Sequence, residues 1–418
     1  MWKAFSALKI KGEFKPRVDN LVFRLHYRYT FILFMAGAIL STLYDFVGEK
    51  IICMIETGDE ALQKVVQSYC YITGTYTVDK LHYGEVGVDM PHPGVGPHTA
   101  DDAVTYHTYY QWVPFVLVAQ GAMFYLPHLI WKHWEGGLFR SIIQNLSVVD
   151  FLSAGKTGTI GNYFNRENEF KSLAVYITDS LHTHKGWSSK FIFCEFLNLI
   201  VTISTIFFTN FFLGGEFLTY GVKVIAMTNM DPENRTDPMS EIFPTMGKCS
   251  FRMYGPSGTI EKRDIMCLLP TNIANEKVYV MLWFWLVIVA VISSLWLILR
   301  SLSFIRPIRE KVFTLRAFNF PRHNMKSFEP LLGNLATRQD VEIVLNDSDF
   351  GDYILLSQLA DNMDLAMFSE FVRYLAKHIR EERRTSSNDS GVHDDDDISK
   401  LKRKEAEIHE HPYLSAKA

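Results

Sequence analysis

Apolar and polar positions alternate in long blocks along the 418-residue chain. Four blocks stay apolar for about 20 residues, the length a helix needs to cross a hydrocarbon core of roughly 30 Å. They are residues 29–47 (YTFILFMAGAILSTLYDFV), 109–131 (YYQWVPFVLVAQGAMFYLPHLIW), 191–213 (FIFCEFLNLIVTISTIFFTNFFL) and 279–302 (YVMLWFWLVIVAVISSLWLILRSL). The first and last are almost free of charge. The second holds Pro114, Gln120 and Pro127 and the third holds Glu195, so either alone also reads as a buried helix of a soluble protein. Four such runs in one chain point to a membrane protein instead. The pattern therefore predicts an all-α, four-transmembrane-helix bundle.

The remaining segments complete the predicted organisation. Residues 1–28 form an N-terminal segment, 48–108 a first loop, 132–190 a second, 214–278 a third and 303–380 a helical region. Stretches such as DYILLSQLADNMDLAMFSEFVRYLAKHI carry the apolar periodicity of packed helices. From 381 to 418 the composition turns to charged residues and serine, including HDDDD, which predicts a disordered tail.

Charge orients these segments. Lys3, Lys9, Lys11, Lys15, Arg17, Arg24 and Arg28 precede the first span, whereas 48–108 is rich in Asp and Glu and holds only Lys50, Lys64 and Lys80. The positive-inside rule then puts both termini in the cytoplasm and 48–108 and 214–278 outside. Residues 1–20 lack an apolar signal core, so the first span is expected to act as its own insertion signal. The cysteines, which played no part in that orientation, agree with it. Cys53 and Cys70 fall in one outside loop, Cys249 and Cys267 in the other, and Cys194 inside the third span, where it reads as a small buried apolar residue. Four loop cysteines allow three pairings, and the spacings leave all of them open. The net charge of −4 gives no reason to expect nucleic acid.

Several motifs then match a family in order. They include DNLVFRLHYRYT (19–30), PHPGVG (91–96), YYQWVPFVL (109–117), WEGG (134–137), FLGGEFLTYG (212–221), FPTMGKCSFRMYGPSGTIEKRDIMCLLPTNIANEKVY (243–279) and LWFWLVIV (282–289). Over residues 15–375 the sequence resembles the innexins, the invertebrate gap-junction proteins. That resemblance implies homo- or hetero-oligomeric rings, octamers, around an aqueous pore. It implies hemichannels in the plasma membrane that dock across apposed cells at a gap junction, and passage of ions and small molecules. It also favours inter-loop disulfides, Cys53 with Cys267 and Cys70 with Cys249.

Other candidate sites follow from the residues. Trp2, Phe5 and Leu8 recur every third position, an apolar stripe beside Lys3, which suits a helix on the inner leaflet. The resemblance turns Trp2, Lys3 and Phe5 toward a pore mouth. In the third span Glu195, Asn198, Thr202, Thr205 and Thr209 step by 3, 4, 3 and 4, on one helical face. That face reads as an interhelical hydrogen-bonding seam or as a water-exposed gating surface. Pro114, early in the second span, reads as a kink. Tyr109, Tyr110 and Trp112 before it read as an interfacial aromatic belt. Asn234-Arg-Thr is a glycosylation sequon in the second outside loop, where a glycan near the docking face would favour an undocked hemichannel.

The histidines His82, His92, His98, His107, His182 and His184 lack matching ligand spacing, so no metal is expected. Neither is a cofactor, because no nucleotide-binding or nucleophile motif appears and catalysis has no support. RRTSS (383–387) offers Ser386 or Ser387 to a basophilic kinase. The acids of the first loop favour cations where they ring a pore. Membrane lipids are the remaining partner. The alternatives carried forward are a lone plasma-membrane hemichannel, as pannexins form, and a poreless four-span adhesion or scaffold protein.

Overall fold

The computed structural model describes residues 17–55, 59–82, 87–88, 90–99, 101–139, 142, 161–228, 238–318, 335–363 and 367–385. In chain order the helices are α1 (Leu21–Arg24), a π-helical turn (Leu25–Thr30), α2 (Phe31–Val47), α3 (Glu60–Thr73), α4 (Val113–Glu135), α5 (Gly161–Asp179) and α6 (Lys185–Phe212). After them come α7 (Phe217–Thr228), α8 (Pro238–Ile242), α9 (Pro270–Leu302), α10 (Arg306–Phe318), α11 (Arg338–Asp347), α12 (Phe350–Ala360) and α13 (367–385). The strands are β1 (Ile52–Met54), β2 (Thr75–Val78), β3 (Val104–His107), β4 (Met246–Tyr254) and β5 (Ile260–Leu268).

Among the described residues, three helices are long and apolar enough to cross a membrane: α4, α6 and α9. The first expected span, 29–47, lies within residues 21–47, helical throughout, of which α2 supplies 17. The chain is mostly helical, but the two loops expected outside also build a five-stranded sheet, a correction to the all-α expectation. Its strands are 3 to 9 residues long, and the β1–β5 and β2–β4 pairs join residues of different loops, so helical periodicity carries no trace of the sheet.

The described residues fall into two compact units. The span-and-sheet unit comprises Leu21–His133 and Ile192–Leu299. Its sheet has the order β1-β5-β4-β2-β3, and all pairs are antiparallel. The β4–β5 hairpin turns at Gly255-Pro-Ser-Gly258, where Gly258 takes φ +80° and Gly255 N–H donates to Thr259 O (2.8 Å). A side chain at that φ would be strained, hence glycine. Beside the sheet, α3 starts at Asp59, whose carboxylate accepts from Ala61 N (2.9 Å). It ends at Gly74 (φ +87°), where a Cβ would stand 2.6 Å from the Thr108 methyl. The apolar core of the spans gathers Phe34, Leu117, Phe124, Tyr279, Leu282 and Leu286.

The helical unit comprises the described parts of Met1–Asn20, Trp134–Phe191 and Arg300–Ala418. Its core holds Phe170, Phe313, Val344, Tyr353, Phe368 and Phe371, all buried. Capping fixes where two of its helices begin. Thr337 and Asp340 form a reciprocal box at α11, and Asp349 and Asp352 do the same at α12. Asp340 also pairs with Arg380 of α13 (2.5 Å).

Candidate functional site

Two disulfides make the sheet a single body. Cys53 of β1 stands opposite Cys267 of β5 in the register and is bonded to it. Cys70 on the last turn of α3 is bonded to Cys249 of β4. The bonds close sequence separations of 214 and 179 residues, joining the two loops to each other and neither to itself. All four cysteines are buried with Ile51, Val66, Tyr110 and Leu269.

Polar groups hold the rest of the platform. Lys248, on β4 and almost fully buried, pairs with Asp264 (2.6 Å) and donates to Gly96 O (2.7 Å) and His98 Nδ1 (2.9 Å). It thereby ties the PHPGVG loop to the sheet. Tyr76 donates to Asp264 (2.9 Å), and burial pushes its hydroxyl pKa up to about 12. Gly94 takes φ +74° with its Cβ direction 2.8 Å from the His82 ring, so glycine is needed on both counts. His107 of β3 shares a hydrogen bond with Thr77 Oγ1 (2.8 Å), and burial lowers its pKa to about 4.

The aromatic stretch 109–112 divides. Tyr109 donates to Ile242 O (2.8 Å), Tyr110 donates to Tyr71 O (3.2 Å), and Gln111 also donates to Tyr71 O (2.6 Å). The tyrosines tie the start of α4 to α8 and α3. Of the three residues expected to form a belt, only Trp112 is exposed, 61% accessible, Tyr109 being half-buried and Tyr110 buried. The kink expected at Pro114 is likewise corrected. Trp112 O accepts from Val116 N, so Pro114 lies in the first turn of α4, where no intrahelical bond is lost. The proline inside that helix is Pro127.

In α6 the stepped polar face turns inward, with Glu195, Asn198, Thr202, Thr205 and Thr209 all buried. Each end and the middle reach a different helix. Trp296 Nε1–H of α9 donates to Glu195 Oε1 (2.9 Å), and Gln120 of α4 donates to Thr209 Oγ1 (2.8 Å). Between them lies His26 on the π turn, with its ring nitrogens on Ser293 Oγ (2.7 Å) and Thr202 Oγ1 (3.3 Å). One residue of α6 and one of α9 thus meet on a single imidazole. Trp285 Nε1–H adds a bond to Thr30 Oγ1 (2.9 Å) at the end of the same turn. Sequence reasoning missed His26, Gln120, Ser293 and Trp296. Their signal is faint: His26 and Thr30 are an i, i+4 polar pair leading into an apolar run. Cys194 is buried, as its position in the run suggests.

Among the described residues, two groups bring three metal-ligating side chains within 4.8 Å. Cys53, Cys70 and Cys267 are consumed by the disulfides. His182, Asp349 and Asp352 belong instead to a lock between the α5–α6 turn and α12. His184 Nδ1 bonds Asp352 Oδ1 (2.8 Å), both groups buried, and His182 N–H donates to Asp352 Oδ2 (3.0 Å). His182 Nδ1 and Lys185 Nζ reach Asp349 Oδ2 at 2.7 and 2.9 Å. Lys185, then His182, holds the Asp349 carboxyl below its ordinary pKa. Lysine already supplies the cation, so the group acts as a structural clasp. Gly351 makes the close approach possible, since a Cβ there would stand 2.8 Å from the His184 carbonyl carbon.

Trp2, Lys3, Phe5, Asn234, Ser386 and Ser387 lie outside the described residues.

The comparisons with known proteins cover this whole arrangement. The family model described as Innexin matches residues 19–379. The chain belongs to the innexin family. Innexin inx2 of Schistocerca americana is 38% identical over 363 residues, 87% of this chain and 93% of that protein. Innexin inx2 of Drosophila melanogaster is also 38% identical, covering 91% of its length, and innexin shaking-B of the same organism is 36% identical. Innexins are gap-junction channel subunits, and this innexin is one: a membrane protein whose family forms channels and not enzymes.

Proposed function

We propose that this innexin crosses the plasma membrane four times, through 29–47, 109–131, 191–213 and 279–302, with both termini in the cytoplasm. Eight subunits, alike or mixed with other innexins, ring an aqueous pore. The disulfide-linked sheet faces the extracellular gap and docks with a hemichannel on the neighbouring cell, so that ions and small molecules pass. One observation carries the docking reading. Two loops far apart in sequence are fused into one sheet by two disulfides. A platform rigid before contact loses little conformational entropy on association.

Paired cells expressing the full chain provide the test, with junctional conductance and dye transfer as readouts. Conductance in pairs that disappears when Cys70→Ser is present in either cell supports docking through the sheet. Currents and dye uptake in isolated cells, with none between pairs, would leave an undocked hemichannel. Neither current nor dye flux, with the protein at the surface, would remove the channel reading altogether.

A further inference from the structure

The second outside loop was expected to be wholly extracellular, yet it opens with the apolar helix α7. Its 12 residues rise about 18 Å, too short to span. What distinguishes α7 is its accessible side. Leu218, Val222 and Ile225 step by four and three, are 44%, 59% and 52% exposed, and are flanked by exposed Thr219 and Ala226. These five lie within an arc of roughly 120° that contains no charge. A helix resting on a protein and facing water shows the reverse, polar residues outward. The opposite side is already occupied. Phe217 and Tyr220 are buried, and Lys223 turns aside to pair with Glu216 (2.6 Å) and Glu241 (3.7 Å).

Its depth is set by its anchors. Gly214 and Gly215, at φ +72° and +99°, reverse the chain after α6, and Asn210 Oδ1 then accepts from Leu218 N (3.0 Å). Trp283 Nε1–H donates to Leu218 O (3.3 Å), and Gly221 packs so closely on the same indole that a Cβ would stand 2.0 Å from it. Trp283 lies four residues inside the fourth span, about 6 Å below its outer end. Asn210 is within the third. The third span itself presents an apolar exterior near that junction, where Phe207, Phe208 and Phe211 are 60%, 49% and 83% accessible.

We propose that α7 is an outer-leaflet helix, lying at the membrane boundary with Leu218, Val222 and Ile225 against lipid acyl chains. Large uncharged patches mark membrane or protein contacts, and the anchoring of α7 to Asn210 and Trp283, both inside spans, selects lipid. The proposal rests on the four-span reading.

The test uses the full-length protein in phospholipid vesicles, with nitroxide labels at Leu218→Cys, Val222→Cys and Ile225→Cys under non-reducing conditions. Tyr254→Cys, on the hairpin tip, and Phe208→Cys, within the third span, serve as controls. Collision with oxygen is compared with collision with a water-soluble nickel chelate. The expected result is oxygen in excess at 218, 222, 225 and 208, and nickel in excess at 254. Nickel in excess at the α7 sites with oxygen in excess at 208 overturns the proposal and leaves the span intact. Low collision with both reagents at 222 overturns it in favour of a neighbouring subunit. Nickel in excess at 208 overturns the span reading and the proposal together.

Discussion

Acid should loosen the five-stranded sheet through His107. The side chain is 5% exposed, hydrogen-bonded to Thr77 between β2 and β3, and edge-on to Tyr109 at 6.1 Å. Burial brings its pKa from 6.5 to about 4, the nearby His82 adds to the shift, and Asp79 opposes it. In the unfolded chain the imidazole takes up its proton near pH 6.5, whereas in the folded sheet it resists until about 4. Between those values the unfolded state binds more protons, so stability rises with pH and is lost as pH falls. The whole effect amounts to about 3 kcal/mol, of which about 2 kcal/mol is gone on moving from pH 7.5 to 5. Burial also lowers the His82 pKa, so it adds to the same slope. Asp102 does not contribute in this window. Lys80 holds its carboxyl at about 2, so its share persists until the pH falls below the ordinary carboxylate range.

The assay is thermal unfolding of the disulfide-intact protein in detergent at pH 7.5, 6 and 5, beside His107→Gln. Glutamine keeps a partner for the Thr77 hydroxyl and cannot take up a proton. The wild-type midpoint should fall with pH and the variant's should fall distinctly less, with His82→Gln removing a further part. A wild-type midpoint that does not move between pH 7.5 and 5, or a variant that keeps the full slope, would refute the reasoning.

Three further outcomes follow from the geometry. Replacing Cys53 and Cys267 together by serine should cost about 2–5 kcal/mol of stability in the five-stranded sheet, read as protease cleavage within 48–108 of the purified protein in detergent; unchanged resistance counts against a constraining role. Thr202→Val should cost no more than about 1.7 kcal/mol, near the largest value measured for such interhelical bonds, in denaturation from detergent micelles. His26→Ala, which also leaves Ser293 without its partner, should cost more, and the reverse order would remove His26 from the centre of the seam. Asp352→Asn weakens the acceptor for His184 and His182 and should cost about 1–3 kcal/mol, visible as faster hydrogen exchange at 180–185; protection equal to wild type would mean that the clasp does not hold the turn.

What could be read from the chain alone depended on the range of the physics involved. The stepped face of α6 is a local property. Burial requires one helical side for Glu195 through Thr209, and a period of 3.6 shows in 15 residues. Its partners are not local: His26 lies 176 residues from Thr202, and Trp296 lies 101 from Glu195. Strand β1 has three residues and is held by a register with β5 that only the folded loops create. Pro114 illustrates a different failure. An apolar run marks where a span is buried but not where its first backbone bond forms, and a shift of a few residues changes a kink into a first-turn proline.

The α7 segment combines both limits. FLTYGVKVIAMT is too short for the length test that found the spans, so the span criterion assigned it to the aqueous loop. Yet its apolar face is legible residue by residue, and the unexplained glycine at 221 is where the indole of Trp283 comes closest. That contact, together with the bonds of Leu218 to Asn210 and Trp283, gives the helix a depth. Gly221→Ala therefore separates position from composition: it leaves every outward residue of α7 unchanged while forcing the helix off Trp283. If depth is set by the indole, Gly221→Ala should shift the oxygen-to-nickel collision ratio at 222 toward water and leave the ratio at 208 unaltered. An unchanged ratio at 222 would mean that the apolar face finds the membrane without the Trp283 anchor.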